Sequence, residues 1–295
     1  MNIFKAILLG IVQGITEFLP ISSSGHLSLG QHLLGVGGES SLLFSVMLHL
    51  GTLAAVFIVY YKTIWDLVLE AIGLVKDIFG RRFVFRELRG NRRMLVMFFF
   101  SCLPLLLLLI PTGNDMSLLD RVKVFSEDGS VLAEGVCFLF TGALLIFGTI
   151  VAKKRKPRKS ASTGDALVVG IAQALAAAFP GISRSGSTIS AGMMCGVSKQ
   201  YMVRYSFILG IPAILAANLL EFKDAVESGE TLEAVPVFIG IITAAVVGVL
   251  CIKLLQWILK KDMFKYFGYY CLALGVIVII IAVIERATGI HVGVG

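Results

Sequence analysis

The sequence predicts an all-α polytopic membrane protein that is built as an inverted-topology repeat, with six transmembrane helices and two re-entrant broken helical hairpins. The first observation behind this prediction is the composition, which is 57% hydrophobic and only 15% charged. A soluble domain carries about 25% charged residues, so this chain cannot cover its surface with polar groups. The composition therefore excludes soluble, disordered and disulfide-rich secreted proteins. An uneven distribution of loop charges and an internal repeat are the second and third observations, and they set the topology.

Six segments are apolar over roughly the 20 residues that a helix needs to cross a bilayer. These spans cover residues 42–61, 94–111, 131–152, 201–221, 234–259 and 266–285. Pro104 and Pro212 lie inside two of them and are expected to kink the helices. After the first span, apolar residues recur at helical spacing over 62–79. This pattern predicts an amphipathic helix on the inner membrane surface.

The loops between the spans divide sharply by charge. Seventeen lysines and arginines lie in the loops 62–93, 153–159 and 260–265, whereas only three lie in the alternate loops 112–130 and 222–233. Loops rich in Lys and Arg stay in the cytoplasm. The split therefore fixes the expected orientation and explains the net charge of +7 without a nucleic-acid partner.

Two further stretches, 1–38 and 165–199, begin apolar and then break into Pro, Ser and Gly at what would be membrane depth. Irregular backbone cannot face lipid, because its N–H and C=O groups would find no partners there. Such stretches are packed inside protein or line a wet cavity. We therefore interpret both as re-entrant hairpins of broken helices, and we expect the function to lie where they meet.

The two hairpins are copies of one another. The matched pairs are 9–13 with 169–173 at an offset of 160, then 21–25 with 182–186 and 44–45 with 205–206 at an offset of 161. Three spans, an odd number, follow each hairpin, so the second copy should enter the membrane from the opposite side. The expected organisation is a first repeat over 1–152, a basic cytoplasmic linker over 153–164 and an inverted second repeat over 165–295.

The first hairpin carries acidic, hydroxyl and imidazole groups. Gln13 and Glu17 are four residues apart and so share a helix face. A carboxylate at this depth costs several kcal/mol unless it is paired or hydrated, which favours a functional Glu17 over a purely structural ion pair. Ser23 and His26 are close enough to meet on a helical turn, which makes them a candidate nucleophile and its base. His49, inside a span, is a weaker candidate.

The second hairpin carries one arginine, Arg184, among hydroxyls and glycines. A planar guanidinium suits phosphate oxygens, and glycine lets backbone N–H groups approach an anion. Together with the first hairpin, this pattern predicts an anion site with its own acid and base groups, for which a phosphate or diphosphate is the best fit. The predicted substrate-binding residues are Gln13, Ser22, Ser24, Ser183, Ser185, Gly186, Ser187 and Thr188.

The chain resembles the bacterial undecaprenyl-diphosphate phosphatase family, of the bacitracin-resistance type, in both hairpins. The matching motifs are Gln-Gly-Ile-Thr-Glu-Phe-Leu-Pro-Ile-Ser-Ser-Ser-Gly-His-Leu and Pro-Gly-Ile-Ser-Arg-Ser-Gly-Ser-Thr. The resemblance implies hydrolysis of undecaprenyl diphosphate to undecaprenyl phosphate, which recycles the lipid carrier of peptidoglycan synthesis in the cytoplasmic membrane. It also implies a divalent cation, Mg²⁺ or Ca²⁺, with Glu17 as a ligand and Gln13 as a permitted variant of a second carboxylate. The family's serine, histidine and arginine correspond to Ser22, Ser23, His26 and Arg184.

In the expected mechanism, Arg184 and the cation hold the diphosphate oxygens while Glu17 orients the cation or acts as a base. Ser23 attacks, and His26 serves as its base or as the acid for the leaving phosphate. Metal-bound water and His26 itself stay open as nucleophiles. The alternative function is a flippase or transporter of a polyprenyl phosphate, since inverted repeats are common in transporters. We expect a site open to the outer side, and the oligomeric state stays open, with a homodimer as one candidate.

Overall fold

The computed structural model describes residues 2–36, 39–112, 117–118, 132–179, 181–227, 233–261 and 263–288. Within these residues the chain forms ten α-helices and one short 3-10 helix, Phe85–Glu87. The α-helices are α1 (Ile3–Thr16), α2 (Ser23–Leu33), α3 (Glu39–Phe79), α4 (Gly90–Leu107), α5 (Leu132–Lys153), α6 (Thr163–Ala178), α7 (Arg184–Met194), α8 (Lys199–Glu227), α9 (Ala234–Lys260) and α10 (Lys265–Thr288).

Five stretches of helix are long and apolar enough to cross a membrane, which confirms a polytopic membrane protein. These are Leu43–Phe79, Gly90–Leu107, Leu132–Lys153, Ala234–Lys260 and Lys265–Thr288. The expected span 201–221 lies inside α8, which is not one of the five. Pro104 and Pro212 both lie inside helices, as expected, and α4 ends three residues after its proline.

The first expected span and the amphipathic helix that follows it are joined directly, without a loop, in the kinked helix α3. The only break described in it is at Tyr60, whose φ of −108° and ψ of 19° are not helical. Beyond this kink, Trp65, Leu69 and Ile72 are exposed while Leu67 is buried. The apolar surface of this part of α3 therefore faces outward, as it would against lipid.

The broken hairpins have matching geometry. Helices α2 and α7 each contain 11 residues and begin at positions related by the offset of 161. Ser22 caps α2 by accepting a hydrogen bond from the Gly25 N–H at 3.3 Å, and Ser183 caps α7 through the Gly186 N–H at 3.0 Å. An N-cap of this kind stabilises a helix by about 1 kcal/mol.

The two halves of the chain interlock through glycines. Helix α1 of the first half packs on α9 of the second, and α6 of the second half packs on α4 of the first. Gly10 lies against the backbone of Gly240, and its counterpart Gly170 lies against the backbone of Ser101, so that a Cβ at either glycine would collide with a carbonyl oxygen. Glycine inside a helix costs about 1 kcal/mol relative to alanine, and here it allows each pair of helices to approach closely. This packing brings the tips of the two hairpins together.

Candidate active site

The hairpin tips are joined by hydrogen bonds between the two halves. The Ser22 hydroxyl donates to the Gly181 carbonyl, and the Gly181 N–H donates to the Ser24 Oγ at 3.2 Å. Gly181 has a φ of +102°, which L side chains rarely adopt. Ser22 has a φ of +72°, and a non-glycine residue in such a conformation costs on the order of 1–3 kcal/mol. The bonds made by its hydroxyl hold this strained backbone in place.

Glu17 lies just inside this junction and is the buried carboxylate of the site, with a side chain only 6% exposed. Its Oε2 accepts from the Ser23 hydroxyl at 2.6 Å and from the Gln13 Nε2 at 3.1 Å. Its Oε1 accepts from the Arg184 Nη2 at 2.7 Å. A buried charge is tolerated only when it is paired and hydrogen-bonded, and these three donors from both hairpins meet that requirement.

Arg184 is the first residue of α7, and its guanidinium packs on α8 and donates to Glu17. Its Nη1 donates to the Ser206 carbonyl at 3.2 Å, and the Ser206 hydroxyl lies 2.6 Å from the Thr188 hydroxyl. The guanidinium lies directly on Gly210, where a Cβ would come within 2.7 Å of its Cζ. The side chain is 20% exposed, so it remains accessible to a ligand while its ion pair with Glu17 holds it in place.

His49 also belongs to this cluster, although the sequence pattern favours it only weakly. Its Nε2 lies 3.8 Å from the Glu17 Oε2, and its Nδ1 is bonded to the Ser45 carbonyl at 2.8 Å. A signal for it does exist in the sequence. Ser45 matches Ser206 in the internal repeat, and the Ser206 carbonyl accepts a hydrogen bond from Arg184. His49 lies one helical turn after Ser45, which places it at the depth of the site.

His26 points away from Ser23, and the expected hydrogen bond between them is not the arrangement in the structure. Its Nδ1 is 2.6 Å from the Ser22 carbonyl, and its Nε2 is 2.8 Å from the Tyr270 hydroxyl. The imidazole also stacks on the Tyr270 ring and meets the Phe138 ring edge-on. Aromatic residues of α5 and α10 therefore fix its orientation, and Ser23 has Glu17 as its hydrogen-bond acceptor instead.

Most of the expected substrate-binding residues make structural contacts within and between the two hairpins. Ser22 and Ser183 are buried helix caps, and Ser24 is exposed beside Gly181. The remaining residues, Ser185, Gly186, Ser187 and Thr188, are all buried in the first turns of α7. Their contact with a substrate stays a prediction, because the bonds described for them are to other parts of the protein.

The arrangement provides a serine hydroxyl that already donates to a carboxylate, next to a partly exposed guanidinium. A serine becomes a useful nucleophile when a neighbouring base accepts its proton. An arginine can stabilise negative charge that develops on a phosphoryl group. The cluster of Glu17, Ser23 and Arg184 is therefore chemically suited to attack on an anionic phosphorus centre.

Comparison with known proteins agrees with this chemistry. Residues 6–277 match the family described as bacitracin resistance protein BacA. The chain is 39% identical over 289 residues to an undecaprenyl-diphosphatase of Methanosphaera stadtmanae, with 96% of this chain and 99% of the relative covered. It is 40% identical over 285 residues to an undecaprenyl-diphosphatase of Halothermothrix orenii, with 96% and 99% covered.

Proposed function

Since this chain belongs to the BacA family of bacitracin resistance proteins, we propose that it is a membrane phosphatase that hydrolyses undecaprenyl diphosphate to undecaprenyl phosphate and inorganic phosphate. The relatives that it matches along nearly their whole length bear the name of this activity. The reaction recycles the lipid carrier for peptidoglycan synthesis. Within this proposal, the prenyl tail lies among the helices and the diphosphate enters the polar junction of the hairpins.

The observation that carries the proposal is the hydrogen bond of 2.6 Å from the Ser23 hydroxyl to the Glu17 carboxylate, beside Arg184. Glu17 accepts the serine proton as Ser23 Oγ forms a bond to the terminal phosphorus. The bond from that phosphorus to the bridging oxygen breaks, and undecaprenyl phosphate leaves with the electron pair. Water then attacks the phosphorus of the phosphoserine, and the bond from phosphorus to Ser23 Oγ breaks as Glu17 returns its proton to that oxygen. Dihydrogen phosphate leaves, and Ser23 and Glu17 are restored to their starting protonation states.

Arg184 has donors to spare for this reaction. A guanidinium carries five N–H groups, and here Glu17 and the Ser206 carbonyl accept from two of its nitrogens. The remaining N–H groups can bind phosphoryl oxygens and stabilise the charge that grows on them. The proposed role for His26 is protonation of the leaving phosphate. Its hydrogen bond to Tyr270, and the one from Ser23 to Glu17, support Glu17 as the acceptor of the Ser23 proton.

A divalent cation, Mg²⁺ or Ca²⁺, is also part of the proposal. The Gln13 Oε1 is a buried acceptor without a hydrogen-bond partner in the described residues, and it lies beside the Glu17 carboxylate. Among those residues, no three side chains of His, Cys, Asp and Glu come together as a metal site. Mg²⁺ is often held by one or two protein oxygens together with substrate phosphates, so Gln13 and Glu17 fit this role. The cation would neutralise charge on the diphosphate.

We also propose the full topology expected from the sequence, with α8 as the sixth span and two re-entrant hairpins. Helices α1 and α6 contain 14 and 16 residues, which is too short to cross about 30 Å of hydrocarbon. The interlocked packing of these helices supports an inverted repeat. The basic linker then lies in the cytoplasm and the hairpin junction opens toward the outer side of the cytoplasmic membrane.

Phosphate release from a long-chain prenyl diphosphate by the purified protein in detergent tests the function. A phosphatase releases phosphate in micelles, whereas a flippase needs two compartments and would release none. The matched control is Ser23→Ala, which lacks the attacking hydroxyl and whose fold is checked by thermal unfolding. We expect turnover by the natural chain, loss of turnover with a chelator and its recovery with Mg²⁺ or Ca²⁺. No release by the folded natural chain with either cation would contradict the proposal.

A further inference from the structure

A second charged cavity lies away from the hairpin junction, among α3, α8, α9 and the linker before α6. Its volume is about 530 Å³. Four cationic side chains line it, namely Lys159, Arg204, Lys253 and Lys260, and its described lining contains no carboxylate. Such a concentration of positive charge attracts an anion strongly at a membrane surface. We call this cavity the basic groove.

The basic groove has an aromatic wall as well as a charged one. Tyr60, Tyr201 and Trp257 line it, and Gln256 donates a hydrogen bond of 3.1 Å to the Tyr60 hydroxyl. Tyr60 is the residue at which α3 kinks. The Arg204 guanidinium lies 6.0 Å from the centre of the Tyr201 ring, so this cation rests on an aromatic platform.

The basic groove is separate from the candidate active site. The Phe207 ring lies between Phe18, the neighbour of Glu17, and Tyr60, with ring centres 5.4 Å and 6.3 Å away. Along α9, Gly248 lies against Phe18, and Gln256 follows eight residues later, about 12 Å farther along the helix axis. The groove adjoins the basic linker, on the side that the loop charges assign to the cytoplasm.

Apolar surface at the rim of the groove indicates that its ligand is a lipid. Trp257 is 50% exposed, Leu254 on the same helix is 46% exposed and Tyr61, beside Tyr60, is 60% exposed. These side chains offer an exposed apolar surface on the same two helices that line the groove. A soluble anion would use the charges alone, whereas a membrane lipid would use both surfaces.

We propose that the basic groove binds the headgroup of a membrane lipid that carries a terminal phosphate monoester. A monoester bears a charge of about −1.5 to −2 at pH 7 and three acceptor oxygens, which matches four cations that line one cavity better than a singly charged phosphodiester does. The lipid chain lies along the exposed apolar residues of α3 and α9. This binding does not depend on the hydrolysis proposed for the hairpin junction.

The chain contains two tryptophans, which gives a direct measurement. With Trp65→Phe, Trp257 is the single fluorophore, and bromine atoms on a lipid chain quench it on contact. We would titrate brominated phosphatidic acid into this variant in non-ionic detergent, with brominated phosphatidylcholine as the baseline. The expected result is saturable quenching by phosphatidic acid above that baseline. Equal quenching by the two lipids would overturn the proposal.

Charge variants test whether the groove provides this binding. Each Lys or Arg near a membrane surface contributes about fivefold to anion binding, so Lys253→Gln with Lys260→Gln should raise the half-saturating concentration by about thirtyfold. Lys76→Gln, an exposed lysine of α3 outside the groove, is the matched control and should leave it unchanged. An equal effect of the control, or no effect of the double variant, would refute the assignment.

Two further measurements test whether the ligand must be a lipid and whether its phosphate must be a monoester. Glycerol 3-phosphate carries the same monoester without a lipid chain, and at the concentration of the lipid it should not reduce quenching. Brominated phosphatidylglycerol carries a phosphodiester and should quench at least about fivefold more weakly. Full competition by glycerol 3-phosphate would overturn the lipid assignment, and equal affinity for phosphatidylglycerol would overturn the monoester assignment.

Discussion

Gly210→Ala should strongly reduce activity, although Gly210 is not proposed to contact the substrate. The reason is that the glycine provides the space that Arg184 occupies. An added Cβ would lie 2.7 Å from the Arg184 Cζ and 2.9 Å from its Nη2. Carbon atoms in ordinary contact are about 3.5–4.0 Å apart, so the guanidinium must move by about 1 Å. That movement stretches the 2.7 Å contact with Glu17 beyond hydrogen-bond length.

The expected loss of kcat is about 100-fold, since a misplacement of about 1 Å in a catalytic site costs on this order. The fold should survive, because the flexible end of an arginine can move aside. Alanine is also about 1 kcal/mol better than glycine inside a helix. Gly210 is therefore a positioning residue for Arg184, and its substitution should separate activity from stability.

The assay is phosphate release together with thermal unfolding. Gly164→Ala is the matched control, since a Cβ added at that helical glycine would meet no other atom within 4 Å and the variant should keep the natural rate. In an Arg184→Ala background the collision no longer exists, so adding Gly210→Ala should cost nothing further. A natural rate for the single Gly210→Ala variant, or an additive loss in the double variant, would refute the reasoning.

Three other substitutions test the proposed roles by phosphate release. Ser23→Ala should abolish turnover, and mass spectrometry should detect no phosphoserine in it; turnover by this variant would favour attack by water. Ser24→Ala should lower kcat by less than about tenfold, because it removes only neutral hydrogen bonds. Arg184→Lys should lose about 100-fold or more in kcat, because an ammonium lacks the planar fork that binds two partners at once; a rate near the natural one would contradict this. His49→Ala should lose about tenfold or more, because it removes a partner of the Glu17 carboxylate, whereas His32→Ala should stay within about twofold.

Much of the fold follows from local pattern, which is why the sequence predicts it well. Hydrophobic length identifies the five long apolar helices, and the repeat of Ser and Gly positions identifies two equivalent helices, α2 and α7. The spacing of Gln13 and Glu17 predicts the shared helix face, and the 3.1 Å hydrogen bond between them agrees. The junction of α3 with its amphipathic extension was not predictable, because a kink at one residue leaves no break in the hydrophobic pattern.

Side-chain direction within the site depends on contacts that are distant in sequence. Ser23 and His26 are three residues apart, yet the imidazole is bonded to Tyr270, 244 residues away. Ser23 turns instead to Glu17, six residues earlier, because the chain folds back after α1. Helical spacing alone cannot distinguish these arrangements, since it gives the positions of Cβ atoms and not the partners that the rest of the fold supplies.

Comparison of the two repeats distinguishes the residues that build the site from those that are proposed to react. Positions that the copies share build the junction: Ser22 and Ser183 cap equivalent helices, and Gly10 and Gly170 make equivalent close contacts. Positions at which the copies differ carry the groups to which we assign the chemistry. Ser23 corresponds to Arg184, and both side chains reach Glu17.

The same comparison explains why we propose one site and not two. His49 and Gly210 are also equivalent, and the glycine leaves the volume that Arg184 fills. Gln13 bonds to Glu17, whereas its counterpart Gln173 is buried with neither side-chain atom bonded in the described residues. The residue four positions after Gln173 is an alanine, so the second copy has no carboxylate to receive a serine proton. In the proposed reaction, one hairpin therefore supplies the base and the hydroxyl, and the other supplies the guanidinium of Arg184, so the reaction would require the interlocked pair.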